Sequence, residues 1–400
     1  MMLAPNSVGV AHGRAVRAGA PRTLPRQTVW SARYDDAGLK DVAYGVAVSP
    51  DGSVLYAAGT GSVGYEVIAY DPDTGTRLWV AQFPAIYSEL AGMQLSPDGK
   101  TIFVTGDDLN RFHTVAFDAK TGRQLWATQY PCAGFEPCVA HGIAVAPGGN
   151  RVFVTGDYYD GNDQDDATIA YDAHTGLPEW TSIYGGSGTD IARSVTVSPD
   201  GTRVFVAGTT SSGTGRFRQA PQCCAQSTYL TLAYAASTGD QLWLATYDNE
   251  GTGGHAANAV GISPDGARLY VTGVSWGNGS NDIATIAYDP SDGSQLWVAR
   301  YDGPAAGRDS GQDVGIAPDG SLIYVTGWSE GVGTDLDYVL LAFDASTGTQ
   351  VWEVRYDSPG HSADEALDLS VSRDGTEVFA TGGSKGNGSK DDYATIGRVG

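Results

Sequence analysis

A four-residue turn motif, Ser/Ala–Pro/Arg–Asp/Gly–Gly, occurs seven times in this chain, starting at Ser49, Ser96, Ala146, Ser198, Ser263, Ala317 and Ser372. Successive copies are 47, 50, 52, 65, 54 and 55 residues apart. A period of this size marks repeated β units that stack, because one unit cannot bury its apolar face alone. A second landmark falls near the end of each unit, at Trp79, Trp126, Trp180, Trp243, Trp297 and Trp352. The seventh Trp of this series is Trp30, at the opposite end of the chain.

That displaced Trp predicts how the units close. The last unit contains EVFATGG and YATIGRV but no Trp-bearing segment, and the missing piece, TVWSARY, stands at residues 28–34. An open solenoid has no use for a split unit, whereas a ring uses it as a clasp that leaves no blade face uncovered. The expected fold is therefore all-β: a seven-bladed β-propeller of four antiparallel strands per blade, the last blade closed by the N-terminal strand. Residues 27–400 form the propeller and residues 1–26 a flexible basic tail. Within a unit, a VAVS-type segment is the innermost strand and a YVTG-type segment the second. A TIAYD-type segment is the third, and a QLWVARY-type segment lies on the rim. Asp and Gly fill the tight turns because they tolerate the backbone angles required there. The rim Trp residues read as core, each covering a neighbouring blade.

The segments AYDPDTGTRLW (69–79), AFDAKTGRQLW (116–126) and AFDASTGTQVW (342–352) resemble the tryptophan-docking repeat of quinoprotein dehydrogenases. The segments LSPDGKTIFVTG (95–106) and ISPDGARLYVTG (262–273) resemble the YVTN-type propeller repeat. The resemblance spans residues 28–399 and implies a propeller. It does not imply an activity, since both motifs are scaffold and host unrelated functions.

Charge narrows the partners. The formal net charge is −22, while residues 1–26 carry Arg14, Arg17, Arg22 and Arg26 and no acid. A surface this acidic repels phosphate backbones, so nucleic acid is not an expected partner. No apolar run reaches the roughly 18 residues of a membrane span. Residues 1–26 also lack the apolar core of a secretory signal. The four cysteines point the other way: Cys132 and Cys138 bracket a short loop, Cys223 and Cys224 are adjacent, and an even count suits disulfides in an oxidising, extracytoplasmic compartment. Pairing within each couple and pairing between the two loops both stay open.

Several motifs resemble catalytic signatures without their context. Gly273–Gly277, Gly327–Gly331 and Gly382–Gly386 each match the nucleophile-elbow pattern. All three follow the second strand of a blade, whereas an elbow is unique and joins a strand to a helix. The run 59–64 (GTGSVG) matches a dinucleotide fingerprint but leads into a strand, with no helix N-terminus for a pyrophosphate. Asn278-Gly279-Ser280 and Asn387-Gly388-Ser389 are formal glycosylation acceptors in equivalent loops.

The working face is expected where the long, variable connections lie, on the side of the second-to-third-strand loops. Aligning the innermost strands on their turns places Tyr44, Ala91, His141, Arg193, Asn258, Gln312 and Leu367 at one position, with Asp313 and Asp368 one residue later in two blades. Equivalent positions in a ring converge on the axis, so Tyr44, His141, Arg193, Asn258, Gln312, Asp313 and Asp368 form a candidate ligand site for a sugar or small acid. Trp276 and Trp328, with Tyr158 and Tyr159, stand in the variable loops as candidate stacking platforms for a glycan or a partner protein. Asp157, Asp160, Asp163 and Asp165 cluster around Gly161 and form a candidate calcium loop, although their order is not that of an EF-hand. The resemblance adds one further cofactor: some quinoprotein dehydrogenases set an adjacent-cysteine disulfide against their quinone, as Cys223–Cys224 would allow. Those enzymes have eight blades, and this chain has seven and no matching calcium ligands. A monomeric, non-catalytic recognition propeller is thus the expectation. The alternatives are a hydrolase or lyase using His141 with Arg193, and an assembly hub.

Overall fold

A computed structural model describes residues 42–85, 89–107, 111–131, 138–159, 163–186, 188–211, 227–249, 253–277, 279–385 and 391–399. These residues form 27 strands and no helix. The strands group into six four-stranded sheets and one three-stranded sheet, each a simple antiparallel meander. This is the expected seven-bladed propeller. The seventh blade has Glu365–Val371, Glu377–Lys385 and Asp391–Val399. The segment expected to complete it, with Trp30, lies outside the described residues, as does the expected tail. Among the described residues, no helix is long and apolar enough to cross a membrane.

The inner turns follow from their sequence. In the first blade, the Gly52 N–H donates to the Ser49 carbonyl at 2.8 Å, and the Ser49 hydroxyl donates to Asp51 Oδ1 at 2.7 Å. Gly52 takes φ of 74°, the left-handed region that favours glycine. The hydroxyl and amide donors around Asp51 hold its carboxyl down at about 2. Ser96–Asp98, Ser198–Asp200, Ser263–Asp265 and Ser372–Asp374 repeat this bond.

The rim tryptophans act as expected, joining blades. The indole N–H of Trp126 donates to the Ala173 carbonyl of the next blade at 2.9 Å; Trp180, Trp243 and Trp297 donate to Ala236, Pro290 and Ala345. A glycine in the next blade's outer turn lies flat on each ring. A Cβ on Gly293 would stand 2.6 Å from Trp243, so any larger residue pushes the blades apart. Each Trp also packs on an aromatic of its own second strand, as Phe205 does with Trp243 at a centroid distance of 5.9 Å.

Candidate functional site at the inner ring

Each innermost strand contains a register break against its neighbour, and the seven breaks fall at one repeat position. The residue skipped is Tyr44, Ala91, His141, Arg193, Asn258, Gln312 and Leu367 in blades one to seven. A β-bulge adds one unpaired residue, bends the strand and re-aims that side chain. The ring position aligned from sequence is thus a bulge in every blade. From blade one to blade seven, successive innermost strands lie against one another, which sets these bulges side by side.

The position is polar through blades three to six. His141 Nε2 lies 3.1 Å from Asp157 Oδ2, which also accepts the Gln164 amide at 2.7 Å. Arg193 is half-buried, and its Nε is buried without a hydrogen bond among the described residues. Asn258 reaches the next blade, donating to the Gly311 carbonyl at 2.8 Å, and Gln312 donates to the Ser310 hydroxyl at 2.9 Å. Asn258 therefore spends its amide on joining two blades, and Gln312 spends its own within its strand. Asp313 Oδ2 accepts the Leu369 N–H of blade seven at 3.0 Å. Burial, and then the neighbouring Asp368 carboxylate, push the Asp313 carboxyl up to about 7. Tyr44 and Leu367 are exposed, and Asp368 is exposed beside Asp313.

The other candidates divide. Trp328 is only 7% exposed, so it is a core side chain and offers no open face for stacking. Trp276 is half-buried; a Cβ on Gly253 would overlap its ring, so the backbone of that loop covers part of the indole. Tyr158 and Tyr159 are half-buried, with Tyr158 tilted against Tyr130 at 6.2 Å. Asp157 and Asp165 are buried and Asp163 half-buried, while Asp160 lies outside the described residues. Cys138 is buried and its sulfur accepts the Tyr159 N–H at 3.3 Å. Cys132, Cys223 and Cys224 lie outside the described residues.

Sequence reasoning passed over two groups. Asp166 is fully buried, and its carboxyl is driven well above the usual range by burial and then by Asp157. The signal was available: other blades carry Tyr65, Phe112, Tyr229, Ile283 and Tyr338 at that position. The second group is a repeated polar clamp. Arg300 donates to Asp282 Oδ2 at 2.7 Å, the Ser275 hydroxyl at 2.7 Å, the Ser275 carbonyl at 3.0 Å and the Tyr247 hydroxyl of the preceding blade at 3.1 Å. Arg355 repeats all four bonds with Asp337, Ser329 and Tyr301. Asp282 and Asp337, which share a repeat position with Asp165, are thus ion-paired struts. Buried Asp309 brings a carboxylate oxygen within 4.8 Å of ligand atoms from Asp282 and Asp302, and burial pushes its carboxyl up to about 6.

The sequence matches the repeat family described as outer membrane protein assembly factor BamB over residues 16–132, 64–220 and 229–389. No curated protein matches it by sequence. Among solved structures, BamB from Moraxella catarrhalis is similar with a TM-score of 0.52 and 19% identity, over 85% of this chain and 82% of that one. Hydrazine synthase from Kuenenia stuttgartiensis has a TM-score of 0.54 and 16% identity, over 84% and 92%. The periplasmic gluconolactonase of Pseudomonas aeruginosa has a TM-score of 0.52 and 16% identity, over 80% and 86%. At such identities the likeness establishes the propeller alone, and the matched repeats establish the lineage: the chain belongs to the family described as outer membrane protein assembly factor BamB.

Proposed function

We propose that this protein is a non-catalytic recognition propeller that holds a small polar ligand, of the sugar or small-acid class, at the inner ring of blades three to six. The observation that carries this reading is the buried, unbonded Nε of Arg193 at a bulge, flanked in the ring by His141 and Asn258. A guanidinium N–H left without an acceptor costs free energy, and a ligand carboxylate or hydroxyl would supply one. Bulges on rigid strands position such groups more firmly than loops do. Calcium is not part of the proposal, because Asp157 already accepts from Gln164 and lies against His141. A thermal-shift screen of neutral sugars, sugar acids and small carboxylic acids tests it. At least one ligand should raise the wild-type midpoint and leave Arg193→Ala unmoved; a screen in which Arg193→Ala responds like wild type sinks the proposal.

One observation favours a second reading, a hydrolase at the same ring. Asp313, held near neutrality beside Asp368, can donate a proton at working pH, and the Pseudomonas aeruginosa gluconolactonase shares the fold. Sugar-lactone hydrolysis that disappears in Asp313→Asn, with ligand binding retained, would establish it; no turnover above background would remove it.

A further inference from the structure

The junctions of blades five with six and six with seven carry the same acidic set. In the first, Asp282 lies on the third strand of blade five, Asp302 directly follows the rim strand Gln295–Tyr301, and Asp309 opens the innermost strand of blade six. Asp337, Asp357 and Asp364 stand 55 residues further on, at the same repeat positions. The connecting loops share a backbone as well. Gly303 donates its N–H to Asp309 Oδ2 at 2.8 Å, and Ser358 donates its own to Asp364 Oδ2 at 2.7 Å. Ala306 and His361, again 55 residues apart, both take φ of 49°. What distinguishes the two loops is therefore side chain, not path.

Two substitutions strip polar groups from the earlier loop. Where the later one has Ser358 and His361, it has Gly303 and Ala306. His361 Nδ1 lies 2.5 Å from Asp357 Oδ2, whereas Asp302 is exposed and has no side-chain partner among the described residues. A Cβ on Gly303 would stand 2.8 Å from Asp309 Oδ1, so glycine keeps the approach to that oxygen open. Asp309 itself is 0% exposed, and its Oδ1 is buried with no hydrogen bond among the described residues. The Ser329 hydroxyl beside it offers at most one donor. An unmatched, fully buried carboxylate oxygen thus faces two further carboxylates. One oxygen each from Asp282, Asp302 and Asp309 lie within 4.8 Å of one another. Calcium–oxygen bonds of about 2.3–2.6 Å let two ligands of one ion stand up to about 5 Å apart, so all three oxygens can share one ion. Arg300 is bonded to Asp282, and this one guanidinium against three carboxylates leaves two negative charges uncompensated.

We propose that Asp282, Asp302 and Asp309 hold one hard divalent cation, of the calcium class, between blades five and six. A donor set made only of carboxylate oxygens suits calcium, whereas zinc and copper sites draw on nitrogen and sulfur. Exposed Asp302 gives the ion its way in, and water completes the shell of six to eight oxygens. The ion ties the third strand and rim of blade five to the first residue of the next innermost strand. That residue stands three positions before the bulge at Gln312, so the ion steadies this stretch of the inner ring. The later junction, with His361 on Asp357, is the built-in comparison: there a side chain occupies the carboxylate that the ion takes here.

The test uses the full chain, freed of metal by a chelator and dialysis, with calcium chloride as the probe near neutral pH. Equilibrium dialysis should find saturable binding, and calcium at about 100 times its Kd should raise the thermal midpoint by about 2 °C or more. Asp302→Asn, on the surface, should match the midpoint of metal-free wild type and lose at least about tenfold in calcium affinity. Ala306→His, which supplies the imidazole of the later loop, should weaken binding several-fold, and Asp357→Asn should bind as wild type does. Absence of saturable calcium binding to wild type, or an affinity unchanged in Asp302→Asn, would overturn the proposal.

Discussion

Blades three to six and the junction of blades seven and one carry the same repeat, yet their surroundings differ. In the first arc, Ile143, Val195, Val260 and Val314 are all buried, covered by the second strand of the preceding blade. Their counterpart in blade one, Val46, is 60% exposed. One described hydrogen bond spans that seam, from Arg373 to the Pro50 carbonyl at 3.5 Å. The ring position follows suit: it is polar and half-buried in the arc, but exposed Tyr44 and Leu367 flank the seam. Exposed apolar side chains usually suggest a docking surface. Among the described residues these gather instead at the seam between blades seven and one, and the proposed recognition groups sit in the arc where packing is complete. Rigid support and the unbonded Nε of Arg193 coincide in one arc, which is what the proposed pre-organised site requires.

The comparison can be broken most directly through the core. Phe205→Ala, in the closed arc, should cost about 3–5 kcal/mol of stability by denaturant titration, and Phe379→Ala about half of that or less. Equal losses would mean that the seam is packed as tightly as the arc. Arg355→Ala leaves the buried Asp337 carboxylate without its cation and should cost about 3 kcal/mol, against less than about 1 kcal/mol for the exposed pair of Lys100 with Asp98. Next comes pH. Because the folded-state value of Asp309, about 6, lies above its ordinary 3.8, the folded protein binds more protons between these values. Stability should therefore fall by about 2 kcal/mol as pH rises from 4 to 6 and then level off, relative to Asp309→Asn. A matching profile in the variant would assign the slope elsewhere. Smallest of all, Val46→Ala should change stability by less than about 0.5 kcal/mol, whereas Val260→Ala costs at least twice that.

Much of this was legible in the sequence, and for physical reasons. Turns such as Ser49–Gly52 depend on local hydrogen bonds and one left-handed glycine, so the letters alone specify them. The ring position of His141 and Arg193 was legible because an alignment on those turns preserves strand register. What escaped were properties set by neighbouring blades. Nothing local tells that Trp328 is covered, or that Asn258 reaches across to the Gly311 carbonyl. The clamps were missed because Arg300, Ser275 and Asp282 lie on three strands and their partner Tyr247 on another blade. Asp166 is the exception: a carboxylate in an otherwise aromatic or aliphatic column is visible in the letters once that column is compared across blades.

Calorimetric titration of the strongest ligand from the sugar and small-acid screen, into wild type, Arg193→Ala and Trp276→Ala, tests most directly whether recognition resides at the inner ring. The expected result is at least a tenfold loss of affinity in Arg193→Ala, about 1.4 kcal/mol, with less than a threefold change in Trp276→Ala. Loss in Trp276→Ala with full affinity in Arg193→Ala would place binding on the outer loops and contradict the inner-ring site.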